Sequence, residues 1–263
     1  MKFTKMHGLG NDYLYVYGEV PDDIAALSRR LSDRHFGAGA DGMIYISPSG
    51  IADFKMRIFN ADGSEAMMCG NGVRCVGKYV YDKGYTDKTY LKIETLSGVK
   101  LLQLHLSGGR VSGVTVMMGT AETFPARTLT ACGETVTYVP VSVGNPHAVV
   151  FVPDADAVPL ETLGPAIERH PDFPDGVNVE FVQVLSASRL RMRVWERGSG
   201  VTMACGTGSC ASVAAAVKKR LCRPGAPVSV LLDGGTLEIS VDADGAVSMT
   251  GPAETVYEGE TVL

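Results

Sequence analysis

The chain has 263 residues, of which 45% are apolar, and its formal net charge at pH 7 is −5. This length allows two compact domains with ordinary hydrophobic cores. No apolar run approaches the roughly 18 residues that a membrane-spanning helix needs, so we expect no membrane partner. Lysine and arginine residues are scattered rather than clustered, which argues against nucleic acid as a partner. The composition therefore favours small-molecule chemistry.

The opening residues and the cysteines are typical of a cytoplasmic protein without metal. The segment Met1–His7 lacks the apolar core of a signal peptide and is typical of a strand, so we expect a cytoplasmic location. The six cysteines include no Cys-x-x-Cys pair, and no histidine stands at ligand spacing from them, so we expect no metal site. We interpret four thiols as buried and inert: Cys75, Cys132, Cys210 and Cys222.

The first half of the chain alternates short strands with one helix ahead of a glycine-rich segment. Pro21, Asp22 and Asp23 predict a helix start, and the helix is expected to extend to about Ser32. Period-two alternation predicts strands at Leu14–Tyr17, Gly42–Ile46, Asp53–Asn60, Tyr90–Thr95, Leu101–Leu106 and Val111–Met117.

The second half repeats this organisation, with a helix predicted near Leu160–Arg169. Its strands are predicted at Thr137–Val143, Ala148–Val152, Val177–Leu185, Leu190–Glu196, Val228–Leu232, Leu237–Val241 and Val247–Thr250. Both halves combine hairpin-linked strands with a few helices, which predicts a mixed α/β fold rather than a regular parallel βαβ winding. We place the domain boundary near Met118–Ala126, so that residues 1–118 form one domain and residues 119–251 a second.

Two cysteines open nearly matching glycine-rich segments, one in each half. Cys69 begins Cys-Gly-Asn-Gly before a helix predicted at Val73–Lys83, and Cys205 begins Cys-Gly-Thr-Gly before a helix predicted at Ser209–Leu221. A helix N-terminus favours negative charge, so it lowers a thiol pKa and can hold an anionic group. One such segment is more often a tight turn than a site, but two copies indicate one active site built from two related halves.

Four blocks of the chain resemble the diaminopimelate epimerase family. They are Phe3–Asp12, Arg57–Glu65 continuing into Cys69–Cys75, Gly144–His147, and Glu196–Gly198 continuing to Ala204–Gly208. The resemblance implies two pseudo-symmetric domains, each a mostly antiparallel curled sheet or barrel around a central helix, with the final strand 252–263 completing the first domain. It also implies a homodimer and an enzyme that interconverts LL- and meso-diaminopimelate without pyridoxal phosphate or another cofactor.

The resemblance implies a role for each polar residue of these blocks. Cys69 and Cys205 would be the catalytic acid and base, because inverting a carbon centre by proton exchange needs one group on each face. His147 and Glu196 would tune the two thiols, with Glu196 also receiving the substrate ammonium group. The remaining substrate contacts implied by the resemblance are Asn11, Asn60, Gly70, Asn71, Asn145, Asn178, Arg197, Gly206 and Thr207.

Three alternatives stay open on the sequence. The first is a racemase of the same fold acting on another amino acid, such as histidine, or an isomerase of the phenazine-biosynthesis type. The racemase would keep both thiols but change the residues that bind the distal carboxylate, and Asn60, Asn178 and Arg197 argue against it. A Cys-His hydrolase or acyl transferase using His147 would need only one thiol. A non-catalytic amino-acid binding protein would tolerate loss of either thiol.

Overall fold

A computed structural model describes residues 1–262 and divides the chain into two compact units. The first unit contains residues 1–117 and returns from Gly251 onward, and the second contains Met118–Thr250. Leu263, the last residue of the predicted final strand, lies outside the described residues. Both units combine helices and strands, which confirms the predicted mixed α/β fold.

The first unit surrounds one helix with strands. Its elements are β1 (Lys2–Gly8), β2 (Asn11–Tyr17), α1 (Ile24–Ser32), β3 (Gly42–Pro48), β4 (Phe54–Asn60), β5 (Glu65–Ala66), α2 (Gly70–Asp82), β6 (Tyr90–Thr95), β7 (Gly98–Ser107), β8 (Arg110–Thr120) and, from the end of the chain, β19 (Glu254–Glu260). Strand β19 pairs antiparallel with β1.

The second unit has the corresponding elements. They are β9 (Glu122–Thr123), β10 (Arg127–Ala131), β11 (Glu134–Ser142), β12 (Pro146–Phe151), α3 (Leu160–Glu168), β13 (Asn178–Ser186), β14 (Arg189–Glu196), β15 (Gly200–Val201), α4 (Gly206–Lys218), β16 (Val228–Leu232), β17 (Gly235–Val241) and β18 (Ala246–Gly251). The strand β10 is absent from the predicted elements because its sequence Arg-Thr-Leu-Thr-Ala carries little apolar signal.

The two units pair their strands in the same order and with the same directions. In the first, β1-β2, β3-β4, β6-β7 and β7-β8 are antiparallel, whereas β2-β3 and β4-β6 are parallel. In the second, β11-β12, β13-β14, β16-β17 and β17-β18 are antiparallel, whereas β12-β13 and β14-β16 are parallel. A helix crosses over at each parallel step, as parallel pairs require. The two units therefore have the same topology.

The helices α2 and α4 lie inside their units. Ten consecutive residues of α2, from Asn71 to Val80, are buried, and α4 is buried over most of its length. Helix α4 can be enclosed because alanines bring the surrounding strands close. The helices α1 and α3 lie outside and pack their apolar faces on the strands. Each enclosed helix points its N-terminus, with its cysteine, at one end of a unit.

Two sequence expectations need correction. The helices begin at Gly70 and Gly206, three residues before their predicted starts, because a cysteine cap makes these glycines the first helical residues. Cys132 is exposed rather than buried, and it occupies the hairpin turn between β10 and β11. Cys75, Cys210 and Cys222 are buried as expected. Within residues 1–262, no helix is both long and apolar enough to cross a membrane.

Candidate active site

Cys69 and Cys205 are the N-cap residues of the two enclosed helices. Both have extended backbone angles, with φ −136° and ψ 116° at Cys69 and φ −115° and ψ 112° at Cys205. Each sulfur accepts a hydrogen bond from the backbone amide three residues later, Gly72 or Gly208, at 3.3 Å. The sulfur thus takes the place of the oxygen in an ordinary N-cap, among amides that favour negative charge.

The thiol of Cys69 faces an amide side chain that is itself held in place. The Cys69 Sγ donates to Oδ1 of Asn11 at 3.2 Å, and Nδ2 of Asn11 donates to Oδ2 of Asp41 at 2.8 Å. Because Asp41 takes the donor end of the Asn11 amide, the acceptor end is turned toward the sulfur. The ring of Tyr13 is buried beside the same thiol, and burial, followed by the charge of Cys69, raises the pKa of Tyr13.

A cluster of charges supports this arrangement. The Arg34 guanidinium bridges Asp12 and Asp41, with Nη2 at 2.7 Å and 2.9 Å from their carboxylate oxygens, and Nζ of Lys5 lies 2.9 Å from Asp12. Burial by itself would raise the pKa of Asp12, but the hydrogen bonds from Arg34 and Lys5 outweigh it and lower that pKa. Asp12 is therefore held as an anion, and Arg34 ties it to Asp41 next to the Asn11 amide.

The other predicted residues of the first unit lie at the end of β4 and at the start of α2. Asn60 ends β4 and donates through Nδ2 to Ser64 at 3.0 Å. Asn71 is buried, and its Oδ1 accepts from Nη1 of Arg74 at 3.1 Å, so this side chain is turned toward the helix. Gly70 and Asn71 are the first two residues of α2, where backbone amides have no partner within the helix.

Cys205 is more deeply buried than Cys69, and acidic groups lie close to it. Burial raises the pKa of the Cys205 thiol well above its ordinary value, and the carboxylates of Glu196 and Glu180 raise it further. Hydrogen bonds from Thr207 and from the Gly208 amide oppose this shift. The expected lowering of the thiol pKa by the helix N-terminus is therefore outweighed at Cys205, and its surroundings favour the thiol form.

Glu196 reaches the same place from the end of β14. Its Oε1 accepts from the Thr202 hydroxyl at 2.5 Å. Burial raises the pKa of this carboxyl, with the negative charge of Glu180 adding to the effect. Hydrogen bonds from Thr202 and Cys205 lower it in part. Neighbouring groups with shifted pKa values are common at functional sites, which marks Glu196 and Cys205 as candidates.

His147 lies behind Cys205 in a row of polar side chains that is fully buried at His147 and Glu180 and partly buried at Asn145 and Thr207. Its Nδ1 is 2.6 Å from Oε1 of Glu180, and its Nε2 is 3.0 Å from Oδ1 of Asn145. Nδ2 of Asn145 donates to Oγ1 of Thr207 at 3.3 Å, and that hydroxyl lies 3.6 Å from the Cys205 sulfur. The predicted residues His147, Asn145 and Thr207 are thus joined to one another and to Cys205.

Asn178 and Arg197 occupy the ends of neighbouring strands. The Asn178 side chain donates to the Pro146 carbonyl at 3.0 Å and accepts from the Arg197 backbone amide at 3.0 Å. The Arg197 side chain is exposed and bonds only to the Asp175 carbonyl at 3.2 Å among the contacts of the described residues. Its guanidinium is therefore free to turn toward a carboxylate in solution.

Glu180 and Asp41 are absent from the predicted site. Glu180 stands in a run of apolar residues on β13, and a charged residue in such a run is the signal that could have marked it. Asp41 precedes β3 in a loop, where aspartate is common, so its sequence carries no comparable signal. The described residues contain no group of three or more His, Cys, Asp or Glu side chains that could hold a metal ion.

The same fold occurs in solved structures of low sequence identity. A probable proline racemase from Agrobacterium radiobacter matches with a TM-score of 0.76 at 19% identity, over 100% of this chain and 93% of that one. A PhzF-family phenazine biosynthesis protein from Bacillus anthracis matches with a TM-score of 0.77 at 16% identity, over 100% and 99%. At these identities the comparison defines the fold alone.

Sequence comparison is more specific. The profile of the family "Diaminopimelate epimerase" matches residues 3–124 and 139–256. A relative named diaminopimelate epimerase from Phocaeicola vulgatus is 52% identical over 281 residues, covering 99% of this chain and 98% of the relative. One from Methanococcus maripaludis is 50% identical over 279 residues, covering 99% of each.

The family match identifies the chain as an enzyme of the epimerase class. Within that class, the chain belongs to the diaminopimelate epimerase family.

Proposed function

We propose that this protein interconverts LL- and meso-diaminopimelate by a two-base reaction at one α-carbon, with Cys69 and Cys205 as the two bases and without a cofactor. The observation that carries the proposal is the matched pair of N-cap thiols, each with its sulfur on a helix N-terminus. Membership of the diaminopimelate epimerase family supplies the substrate. In each direction, a thiolate removes the α-proton and the other thiol delivers a proton to the opposite face.

The helix starts provide the charge stabilisation that this reaction needs. Removing a proton next to a carboxylate builds negative charge on that carboxylate, and the proposed reaction uses no pyridoxal ring to accept it. Backbone amides of Gly70 and Asn71, and of Gly206 and Thr207, would bind the reacting carboxylate. In other enzymes one preorganised donor of this kind is worth about 3 to 4 kcal/mol of barrier. Several converging amides would supply a substantial part of the acceleration.

The other polar residues would recognise the rest of the substrate. Arg197 has a planar guanidinium suited to a second carboxylate, and its backbone is fixed by Asn178. Asn11, Asn60 and Asn145 would bind ammonium and carboxylate groups, and Glu196 would receive the α-ammonium group while exchanging protons with Cys205. A proton must leave one thiol before the reaction starts, because Cys69 donates to Asn11 and burial raises the pKa of Cys205 in the ligand-free protein.

The test follows hydrogen at the α-carbon. LL-diaminopimelate is incubated with the enzyme in deuterium oxide, and the meso product is expected to carry one deuterium at the inverted carbon from the first turnover. Cys69→Ala and Cys205→Ala are each expected to abolish product formation. Cys132→Ala and Cys222→Ala are the matched controls and are expected to keep normal turnover. A folded Cys69→Ala or Cys205→Ala variant with normal epimerisation would contradict the two-base assignment.

The family resemblance also suggests a homodimer. Sedimentation equilibrium of the purified protein tests this part of the proposal, with a mass of about twice the chain's 27.9 kDa expected. A species of single-chain mass at micromolar concentration would contradict it without affecting the reaction.

A further inference from the structure

Glu180 is a charged residue at a position where the first unit has an apolar one. The ladder β2-β3 pairs Leu14 with Met43, and the ladder β12-β13 pairs Ala148 with Val179, so Ile44 and Glu180 occupy equivalent places one residue further along. The contacts of Gly72 and Gly208, whose amides donate to the two cysteine caps, support the same equivalence. A methyl group added at Gly72 would meet Ile44 at 2.7 Å, and one added at Gly208 would meet Oε1 of Glu180 at 2.7 Å. The fold therefore does not require a carboxylate there.

The carboxylate is also costly where it stands. The Glu180 side chain has 0% exposure, and its Oε2 has no hydrogen-bond partner among the described residues. Burying an ion without full compensation is unfavourable, and a folded protein keeps such a group only when something else offsets the cost. The compensation visible at Glu180 is its 2.6 Å contact with Nδ1 of His147, whose side chain is equally buried.

The surroundings of His147 determine where its hydrogens lie. Glu180 Oε1 stands against Nδ1, and Asn145 Oδ1 stands against Nε2. The oxygen of an asparagine amide can only accept, so Nε2 carries a hydrogen. An ionised Glu180 likewise requires a hydrogen between Oε1 and Nδ1. With that hydrogen on Nδ1, both ring nitrogens of His147 carry hydrogen and the His147–Glu180 pair is electrically neutral, which offsets the burial of both side chains.

The protonation state of the His147–Glu180 pair determines the direction of the hydrogen bonds that lead through Asn145 and Thr207 to Cys205. Because Oδ1 of Asn145 is occupied by His147, Nδ2 is left to donate to Oγ1 of Thr207. The Thr207 oxygen then acts as an acceptor toward Asn145, and its own hydrogen is available to the Cys205 sulfur 3.6 Å away. Together with the Gly208 amide, this places two donors on the sulfur. Two donors stabilise a thiolate, the form that burial and the nearby carboxylates oppose.

Given the proposed function, on which this step rests, we propose that Glu180 is a positioning residue for Cys205. Its carboxylate keeps His147 in the state in which both ring nitrogens carry hydrogen, and so directs a hydrogen-bond chain through Asn145 and Thr207 onto the sulfur. The ionisable groups that face Cys205 from the surrounding strands are His147 on β12, Glu180 on β13 and Glu196 on β14. Of these carboxylates, Glu180 bonds to His147, while Glu196 stays available to exchange protons with the thiol.

The first test reads the hydrogens of His147 directly and needs no substrate. Protein labelled with 15N in histidine is studied by NMR at pH 7, with the His147 signals identified by their absence from His147→Gln. Both ring nitrogens of the wild-type residue are expected to carry hydrogen, and Glu180→Gln is expected to leave only one protonated. A wild-type His147 with one protonated nitrogen would overturn the proposal. Because this readout is independent of turnover, it stands even if the epimerase assignment fails.

The second test measures coupling between two residues that make no hydrogen bond to each other among the described contacts. Glu180→Gln and Thr207→Val are made singly and together, and kcat/KM is measured for each. The kcat/KM of each single variant is expected to fall by about tenfold or more, which is the usual effect of removing a hydrogen bond to a charged group. In the Thr207→Val background, Glu180→Gln is expected to lower kcat/KM by less than threefold, because Thr207→Val has already interrupted the hydrogen-bond chain.

The controls separate this coupling from structural damage. Thr207→Ser keeps the hydroxyl and is expected to retain coupling to Glu180. Glu161→Gln makes the same chemical change on the exposed face of α3 and is expected to combine additively with Thr207→Val. Fully additive losses for Glu180→Gln and Thr207→Val would overturn the proposal. If Glu180→Gln does not fold, Glu180→Asp replaces it in the cycle, and the wild-type NMR result decides independently.

Discussion

Asp41 fixes the orientation of Asn11 next to the Cys69 thiol. Its Oδ2 accepts from Nδ2 of Asn11 at 2.8 Å, which leaves Oδ1 of Asn11 to accept from the sulfur at 3.2 Å. The first unit therefore orients its thiol through an amide held by a carboxylate, whereas the second unit uses a histidine held by a carboxylate. The same cap geometry is supported by different chemistry in the two halves.

Removing the Asp41 carboxylate is expected to lower activity. In Asp41→Ala the Asn11 amide loses its fixed orientation, and kcat/KM is expected to fall by about tenfold or more, the scale of a charge-assisted hydrogen bond. Arg34→Gln is the matched control, because it removes the two ion pairs that Arg34 makes in the cluster but leaves the Asn11–Asp41 bond. It is expected to stay within about threefold of wild type. Equal losses in both variants would show that the charge cluster, not the amide orientation, matters.

The two cap glycines are expected to differ in their tolerance of a methyl group. In Gly208→Ala the added carbon would lie 2.7 Å from Oε1 of Glu180 and 3.2 Å from the Cys205 sulfur, both of which are fixed by hydrogen bonds. In Gly72→Ala it would meet the mobile ends of Ile44 and Met56. Overpacking of a fixed site costs about 1 to 3 kcal/mol, so Gly208→Ala is expected to be the less stable variant in urea denaturation. A larger loss in Gly72→Ala would contradict this.

Glu196 is expected to make stability depend on pH. Burial raises the pKa of this carboxyl, with Glu180 adding to the shift. The folded protein therefore binds this proton more tightly than the unfolded chain does. The resulting stabilisation is complete below the unfolded pKa of about 4.3 and is lost as the pH rises through the folded pKa.

The corresponding experiment compares wild type with Glu196→Gln. Guanidinium denaturation is measured from pH 4 to pH 8, and the free energy of unfolding of the wild type is expected to fall relative to that of the variant as the pH rises. The exposed Glu161→Gln is expected to run parallel to wild type. Parallel curves for Glu196→Gln as well would mean that Glu196 titrates normally.

Cys132 is expected to be a site where a substitution stabilises the protein. It has φ 53° and precedes Gly133 with φ 80° in the two-residue turn that joins β10 to β11. Such a turn needs positive φ at both residues and favours asparagine followed by glycine. Cys132→Asn is therefore expected to add about 0.5 to 1 kcal/mol, seen as a higher Tm. Cys132→Ala is the control and is expected to give no gain, and a similar gain in both variants would contradict the turn argument.

Most helices and strands could be predicted from the sequence, but the first residues of some helices could not. Strands such as β2 and β13 carry strong apolar patterns, and their existence and approximate bounds follow from periodicity. The starts of α2 and α4 do not follow from periodicity, because the segments Gly-Asn-Gly and Gly-Thr-Gly are weak helix formers. Those glycines are helical here because a cysteine caps each helix and strands enclose it, and neither fact is local to the segment.

The residues of the candidate site were likewise only partly predictable from the sequence. The repeated Cys-Gly-x-Gly segments marked both thiols and the residues after them, because a helix start has local sequence signals. Glu180 lies 25 residues before Cys205 in the chain and reaches it only because β13 packs beside α4. Asp41 meets Asn11 because β2 and β3 are parallel neighbours. No spacing rule connects such pairs.

The sequence by itself determined the mixed fold, the doubling of the chain and the two thiols, because these depend on short-range periodicity and on motifs a few residues long. Only the tertiary structure decided how each thiol is held. The strand order brings distant side chains against each sulfur, and burial there raises the pKa of Cys205 instead of lowering it. Hydrogen-bond direction and desolvation depend on every neighbour in space, and those neighbours come from strands far apart in the chain.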